Sequence, residues 1–211
     1  MVTKISKAMD KQLLLGYNIL YRLIICEVNM RVITGTARGR RLKTLEGIDV
    51  RPTTDKVKEA IFSVIQFDIE GSDVLDLFSG SGQMGIEALS RGARHAYFID
   101  KSKQSVEVTK ENLKTTDLEN DADVINIDSL DYIKTCRNIF DIAILDPPYG
   151  KGLIMQVLPI LETKMSERGI VVCEHEIGLE LPESVGKLIN NRTYKYGKIE
   201  VTIFMTDFNN D

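Results

Sequence analysis

The chain of 211 residues has no tryptophan, only two histidines and five prolines, and three cysteines. Cys26, Cys136 and Cys173 are odd in number and far apart, and no Cys-x-x-Cys is present. That excludes a disulfide framework and a zinc ribbon. His95 and His175 make no metal-ligand spacing together, so no metal is expected. Long apolar runs are missing as well. The stretch 13–28 carries Asn18 and Arg22 and falls short of the ~20 apolar residues of a membrane span. No small-x-small cleavage site follows it. Neither a membrane anchor nor an exported precursor is expected, and the location is read as cytoplasmic. With 43% apolar and 27% charged residues, the composition is that of a folded soluble protein, not of a disordered, collagenous or coiled-coil chain. The length suits one α/β domain with an appendage.

Charge is unevenly spread. Between Arg31 and Lys58 stand eight basic and three acidic residues, a local excess of +5 in a chain whose net charge is −4. Such sorting reads either as a basic face on an acidic body or as a solvated hairpin with incidental charge. Residues 1–29 fit the remainder poorly. Met30-Arg-Val-Ile33 opens a strand, and Glu27-Val28 can be encoded by a ribosome-binding sequence just upstream of Met30. Residues 1–29 therefore read as a mis-called start, the alternative being an amphipathic leader helix.

Residues 30–50 read as short strands around Gly35, Gly39 and Gly47, a hairpin. After the break at Arg51-Pro-Thr-Thr54, the residues Val57, Ala60, Ile61, Val64 and Ile65 mark one face of a helix, with Lys56, Lys58 and Glu59 on its other faces. Strands and helices then alternate. Strands are expected at 74–78, 96–99, 122–127, 140–145 and 170–173, with helices at 83–91, 103–114, 129–135 and 153–164, the last kinked by Pro159. An antiparallel pair around Gly197 closes the chain. This alternation predicts a mostly parallel sheet covered by helices on both faces.

The first strand of the alternation runs into Asp76-Leu-Phe-Ser-Gly-Ser-Gly-Gln-Met-Gly85, in which Gly80, Gly82 and Gly85 match G-x-G-x-x-G between strand and helix. Glycines there permit a tight turn and let a ligand approach backbone and helix N–H groups. Asp100 follows at the end of the next strand, placed to accept both hydroxyls of an adenosine ribose. The fingerprint itself suits either a nicotinamide dinucleotide or S-adenosylmethionine. Asp76 favours the second, because a carboxylate in the loop repels a pyrophosphate and suits an α-ammonium group. Asp128 is placed either to take the adenine amine or to cap the helix at 129–135.

Phe140-Asp-Ile-Ala-Ile-Leu145 runs directly into Asp146-Pro-Pro-Tyr149. An exocyclic amine on a base is a poor nucleophile because its lone pair is delocalised into the ring. Acceptors aimed at its N–H groups favour the attacking form and the charge that builds on nitrogen. The Asp146 carboxylate and the Pro147 carbonyl can be those acceptors. Pro147 and Pro148 each fix their own φ and restrict the preceding residue, which makes the turn rigid. Tyr149 offers a flat face for an extruded base.

Three segments carry a resemblance to a known family: Asp76–Gly85 with Glu87-Ala-Leu-Ser-Arg-Gly-Ala93, Arg51-Pro-Thr-Thr-Asp-Lys-Val-Lys-Glu-Ala-Ile-Phe62, and Asp146–Tyr149. With the start Gly35-Thr-Ala-Arg-Gly-Arg-Arg41, the chain from about Met30 to Met205 resembles the RsmD family of bacterial 16S ribosomal RNA guanine-N2-methyltransferases, which use S-adenosylmethionine. Ser79 and Gln83 stand where that family often has smaller residues. The resemblance implies a Rossmann-like class I methyltransferase fold: a mostly parallel seven-stranded sheet with a small N-terminal hairpin and helix extension. It divides the chain into a leader (1–29), a basic extension (30–70) and a methyltransferase domain (71–211). It implies S-adenosylmethionine held by Asp76, Phe78, Ser79, Gly80, Ser81, Gly82, Gly85, Asp100, Lys101, Asp128 and Ser129, and catalysis by Asp146, Pro147, Pro148 and Tyr149. RNA contacts are expected from Arg31, Arg38, Arg40, Arg41, Arg51, Thr53 and Lys56. The implied partner is 16S rRNA or a small-subunit assembly particle, met by a monomer. Three other readings compete. An adenine-N6 methyltransferase on DNA would need a target-recognition domain, for which there is no space. A nicotinamide-dependent oxidoreductase leaves Asp146–Tyr149 idle. A non-catalytic RNA-binding assembly module has no reason to keep the motifs together.

Overall fold

The computed structural model describes residues 30–45 and 55–207; the leader, Arg51 and Thr53 lie outside them. Helix α1 (Asp55–Val64) precedes strand β1 (Asp73–Asp76), and the alternation follows: α2 (Gln83–Ser90), β2 (His95–Asp100), α3 (Lys103–Thr116), β3 (Ala122–Asn126), α4 (Ser129–Thr135), β4 (Phe140–Leu145), α5 (Leu153–Leu161) and β5 (Met165–Glu176). Strands β6 (Ser184–Val185), β7 (Leu188–Tyr196) and β8 (Ile199–Thr206) close the chain. All eight form one sheet in the order β3-β2-β1-β4-β5-β8-β7-β6. Strands β1 to β5 are parallel, and β8, β7 and β6 are added antiparallel. The order reverses between β1 and β4, which is where ligands enter open α/β sheets.

The sheet has eight strands rather than the expected seven, because a two-residue β6 pairs with the start of β7. So short a pairing leaves no alternation to read. Strand β5 is three times as long as expected, with 12 residues. Its ladder with β8 reaches out to Glu176, so hydrogen bonding carries it past the apolar centre that the sequence pattern shows. Helix α5 runs through Pro159 and then tightens into a 3-10 turn, Glu162–Lys164. Among the described residues, no helix is long and apolar enough to cross a membrane.

The alternating strand residues build two cores. One face, with Val74, Ile142, Ile144, Val172 and Ile203, lies under α1, α2, α3 and the segment 30–42. The other, with Leu75, Ala143, Leu145, Val171 and Phe204, lies under α4 and α5. Burial on both faces explains why β4 reads as an almost unbroken apolar run.

The N-terminal segment closes the expected hairpin over a short ladder: Arg31 bridges Arg41, and Val32 N, Gly39 N and Leu42 N donate to the carbonyls of Arg40, Val32 and Met30 at 3.0, 2.8 and 2.8 Å. Between these strands the backbone turns to the domain. Ile33 N and Thr34 N donate to the two carboxylate oxygens of Glu87 at 2.8 and 3.0 Å. Ala37 N donates to Ser90 Oγ at 2.9 Å. Gly35, at φ +87°, crosses the end of α2 so closely that a Cβ would lie 1.6 Å from the Ser90 carbonyl oxygen. Asn112 on α3 accepts from Lys43 N at 2.7 Å and donates to the carbonyls of Lys43 and Ser81 at 3.0 and 2.8 Å. Lys58 is not on an outer face. It is fully buried, 3.6 Å from Glu87 Oε2, and donates to the Arg31 carbonyl at 2.6 Å. The helix pattern of α1 could not show this, because a partner for Lys58 comes only with the folded segment above it.

Candidate active site

A cleft of about 420 Å³ opens at the carboxyl ends of β1, β2 and β4. Every residue expected to hold the cofactor lines it except Gly82 and Gly85, and so do Asp146, Pro147, Pro148 and Tyr149. The two remaining glycines act behind the wall. Gly82, at φ +77°, is the N-cap of α2 and makes no side-chain cap bond; with Gly85 N taken by Asp76, the amides of Gln83 and Met84 are the ones left for an anionic ligand group. At Gly85 a Cβ would come within 2.3 Å of the Phe98 ring, so glycine there lets α2 lie close on β2.

The acidic residues divide their work. Asp100 accepts from Gly80 N at 2.9 Å and from Ser102 N at 2.8 Å, one on each carboxylate oxygen. It therefore holds the loop closed while its carboxylate, which has about four acceptor sites, keeps capacity for two hydroxyls. Asp128 accepts from Leu130 N at 3.0 Å as the N-cap of α4, and that capping role leaves it on the cleft wall. Asp76 is buried and accepts from Gly85 N at 3.0 Å. Burial pushes its carboxyl up to about 7, against the pull of the Gly85 N–H and helped by the nearby Asp100 charge. Ser79 Oγ and Gln83 Oε1 are buried without a hydrogen-bond partner among the described residues, and both line the cleft. A wall with unpartnered polar atoms fits a polar ligand.

Beyond Leu145 the chain turns at Asp146–Tyr149. The Tyr149 ring is about half exposed, and its hydroxyl donates to Glu174 Oε1 at 3.2 Å. Gly150 N donates to Glu176 Oε1 at 3.0 Å. Burial, then Glu174 and Asp146, raise the Tyr149 phenol well above its usual range. Two carboxylates on β5 thus anchor the turn that follows β4. Sequence reading missed both. Their signal was the pair Glu174 and Glu176 alternating at the end of an apolar strand. It also missed Met30, Thr44 and Leu45, which line the cleft from the N-terminal segment and carry no local pattern.

The basic residues have mixed fates. Arg31 pairs with Asp55 at 3.4 Å. Arg40 reaches Asp117 at 2.8 Å and the Thr115 carbonyl at 2.6 Å, and Lys43 pairs with Glu111. Arg38, Arg41 and Lys56 are exposed and make no ion pair with any described residue. Part of the local excess charge therefore ties the segment to the domain's own acids.

Known proteins match this architecture over most of its length. The family model described as conserved hypothetical protein 95 matches residues 30–205. The Bacillus subtilis protein YlbH is 41% identical over 184 residues, 83% of this chain and 98% of YlbH. A Haemophilus influenzae protein named ribosomal RNA small subunit methyltransferase D is 41% identical over 135 residues, 63% of this chain and 70% of its own length. The solved structure of Escherichia coli yhhF superposes with a TM-score of 0.76 at 29% identity, covering 84% of this chain and 97% of that one. The match begins at Met30, where the described fold begins, and runs to the last strand, so the chain belongs to the conserved hypothetical protein 95 family, that of the RsmD methyltransferases.

Proposed function

We propose that this protein transfers a methyl group from S-adenosylmethionine to the exocyclic N2 amine of a guanine in 16S ribosomal RNA. One observation carries the reading: the Asp146–Tyr149 turn faces the same cleft as Asp76 and Asp100, so an amine-holding group and an adenosine-holding group share one space. Bound S-adenosylmethionine supplies an electrophilic methyl sulfonium. Asp100 takes the ribose hydroxyls, Asp76 the α-ammonium and the open amides of α2 the carboxylate. Asp146 and the Pro147 carbonyl accept from the target amine as positive charge builds on its nitrogen. The Tyr149 face receives the base. The rate gain comes from aligning amine, methyl and sulfur. Arg38, Arg41 and Lys56 meet phosphates.

The test is nucleoside mass spectrometry of small-subunit RNA from cells with and without the gene. Loss of one N2-methylguanosine is expected. An unchanged profile, or loss of N6-methyladenosine instead, rejects the assignment. With purified enzyme, Arg38→Glu/Arg41→Glu should raise the RNA concentration needed for half-maximal rate and flatten the salt dependence by about one log–log unit per lost phosphate contact.

Asp76 makes cofactor binding depend on pH. A ligand ammonium needs the ionised carboxylate, and burial holds that carboxyl near 7. Affinity measured by calorimetry should fall about tenfold per pH unit below 7 and level off above it. Asp76→Asn should remove the slope. In the empty protein the sign is opposite. The folded state binds this proton more tightly than the unfolded state, so Asp76 lowers stability progressively as pH rises from the ordinary carboxylate range to about 7.

A further inference from the structure

We propose that the β7–β8 hairpin is a platform for the single-stranded RNA beside the target nucleotide. The proposal rests on the RNA-methyltransferase reading above and assigns that substrate a second contact surface. From Ser184 to Ile199 the sequence carries four cations and no acid, in a chain of net charge −4. Lys187 is engaged with the Met165 carbonyl. Arg192, Lys195 and Lys198 are exposed and make no ion pair with any described residue; Lys195 stands across from Glu200 in the register. Among these cations lie two aromatic rings. Tyr194 and Tyr196 sit two residues apart on one face of β7, with ring centroids 6.4 Å apart and planes within 16° of parallel. The Arg192 guanidinium lies 5.2 Å from the Tyr194 ring centroid.

The register connects this hairpin to the active-site cleft. Glu174 pairs with Val201, and Val201 pairs with Tyr194. One step further out, Glu176 pairs with Ile199 and Ile199 with Tyr196. Tyr194 therefore occupies the same cross-strand row as Glu174, the residue that anchors Tyr149. Two strand spacings separate them, about 10 Å. The Gly197 turn brings Lys198 to the same carboxyl edge of the parallel strands.

Neighbouring aromatic faces flanked by cations are what a single strand uses: bases stack on the rings and phosphates meet the positive charge. Both rings are partly buried against the core beneath them, so little side-chain freedom is lost when a base arrives. Cations without an ion pair among the described residues favour a polyanion over a protein, and the position beside the turn at Tyr149 favours the strand that carries the target.

The test uses Tyr194→Leu/Tyr196→Leu, which keeps apolar packing but removes the stacking faces, beside Tyr194→Phe/Tyr196→Phe, which keeps the faces. Circular dichroism and cofactor titration establish that each variant is folded and loaded. The probes are a short mixed-sequence single-stranded RNA, read by fluorescence anisotropy, and naked 16S rRNA, read by methyl incorporation. The leucine variant should raise the RNA Kd and KM about tenfold or more, with cofactor Kd and single-turnover rate at saturating RNA unchanged, and the phenylalanine variant should restore both. RNA affinity within about twofold of the parent overturns the platform. So does a defect seen only on assembled particles, which would mark a protein contact. Methyl incorporation by the parent into naked 16S rRNA and into small-subunit particles from cells lacking the gene is the separate control. Absence from both rejects the underlying reading, whereas a parent active on either with a leucine variant of parental RNA affinity rejects the platform alone.

Discussion

Asp146→Ala is expected to slow methyl transfer by about 2.7–4 kcal/mol in the chemical step, by analogy with the loss of a preorganised donor from an oxyanion site. The interaction removed is one that strengthens as charge develops on the amine, so the loss belongs to the single-turnover rate at saturating RNA and not to RNA or cofactor affinity. Cofactor binding should survive, since Asp76 and Asp100 stand on β1 and β2. Tyr149 should fail differently. Tyr149→Ala removes a face worth about 1–3 kcal/mol per stacked base. Tyr149→Phe keeps the face but loses the bond to Glu174, worth about 1 kcal/mol of stability, and should retain most activity. If Tyr149→Phe is as inactive as Tyr149→Ala, the anchoring hydroxyl matters and the stacking role is wrong. A near-parental rate for Asp146→Ala would end the amine-holding mechanism.

Glu87→Ala should destabilise the fold by about 3–5 kcal/mol, read from the urea midpoint at constant slope. That is a large part of the total for a domain of this size, about 5–15 kcal/mol. Four groups depend on this one fully buried carboxylate: the amides of Ile33 and Thr34, the Lys58 ammonium and the Arg91 guanidinium at 2.8 Å. Lys58 is itself fully buried, and burial already pushes its ammonium below the usual lysine range, with Glu87 opposing. Removing Glu87 leaves that charge without its carboxylate in a place water does not reach. Arg91, stacked 4.8 Å from the Phe62 ring, can turn towards solvent and loses less. A loss under about 1 kcal/mol would mean that the buried cluster contributes nothing net.

The central alternation was legible because β1, β2 and β4 are buried on both faces and their helices on one, which writes period and length directly into the residues. The cleft was legible for a related reason. Gly80 and Asp146 follow the end of a strand and Asp100 closes one, and strand ends at the switch point converge whatever the intervening loops do. What escaped depends on contacts between distant segments. The burial of Lys58 comes from Glu87 and the Arg31 carbonyl, and neither belongs to its own helix. The anchoring of Tyr149 comes from Glu174, one strand away. The N-terminal hairpin was legible from its glycines and does form, but not what holds it down: the amides of its loop go to Glu87 and Ser90, acceptors that exist only once α2 has formed.

Asn112 has a consequence for how the protein can vary. Its side chain spends its acceptor and both donor hydrogens on Lys43 and Ser81. Aspartate would lack the donors and leucine every polar atom. The segment is held again at Ile33–Ala37 by Glu87 and Ser90. Surface stretches ordinarily absorb insertions and deletions. This one is clamped at two separated points, so gaining or losing a residue between them would slide Lys43 off its amide and disturb the glycine loop through Ser81. A lineage could change side chains along the stretch between the clamps only at fixed length.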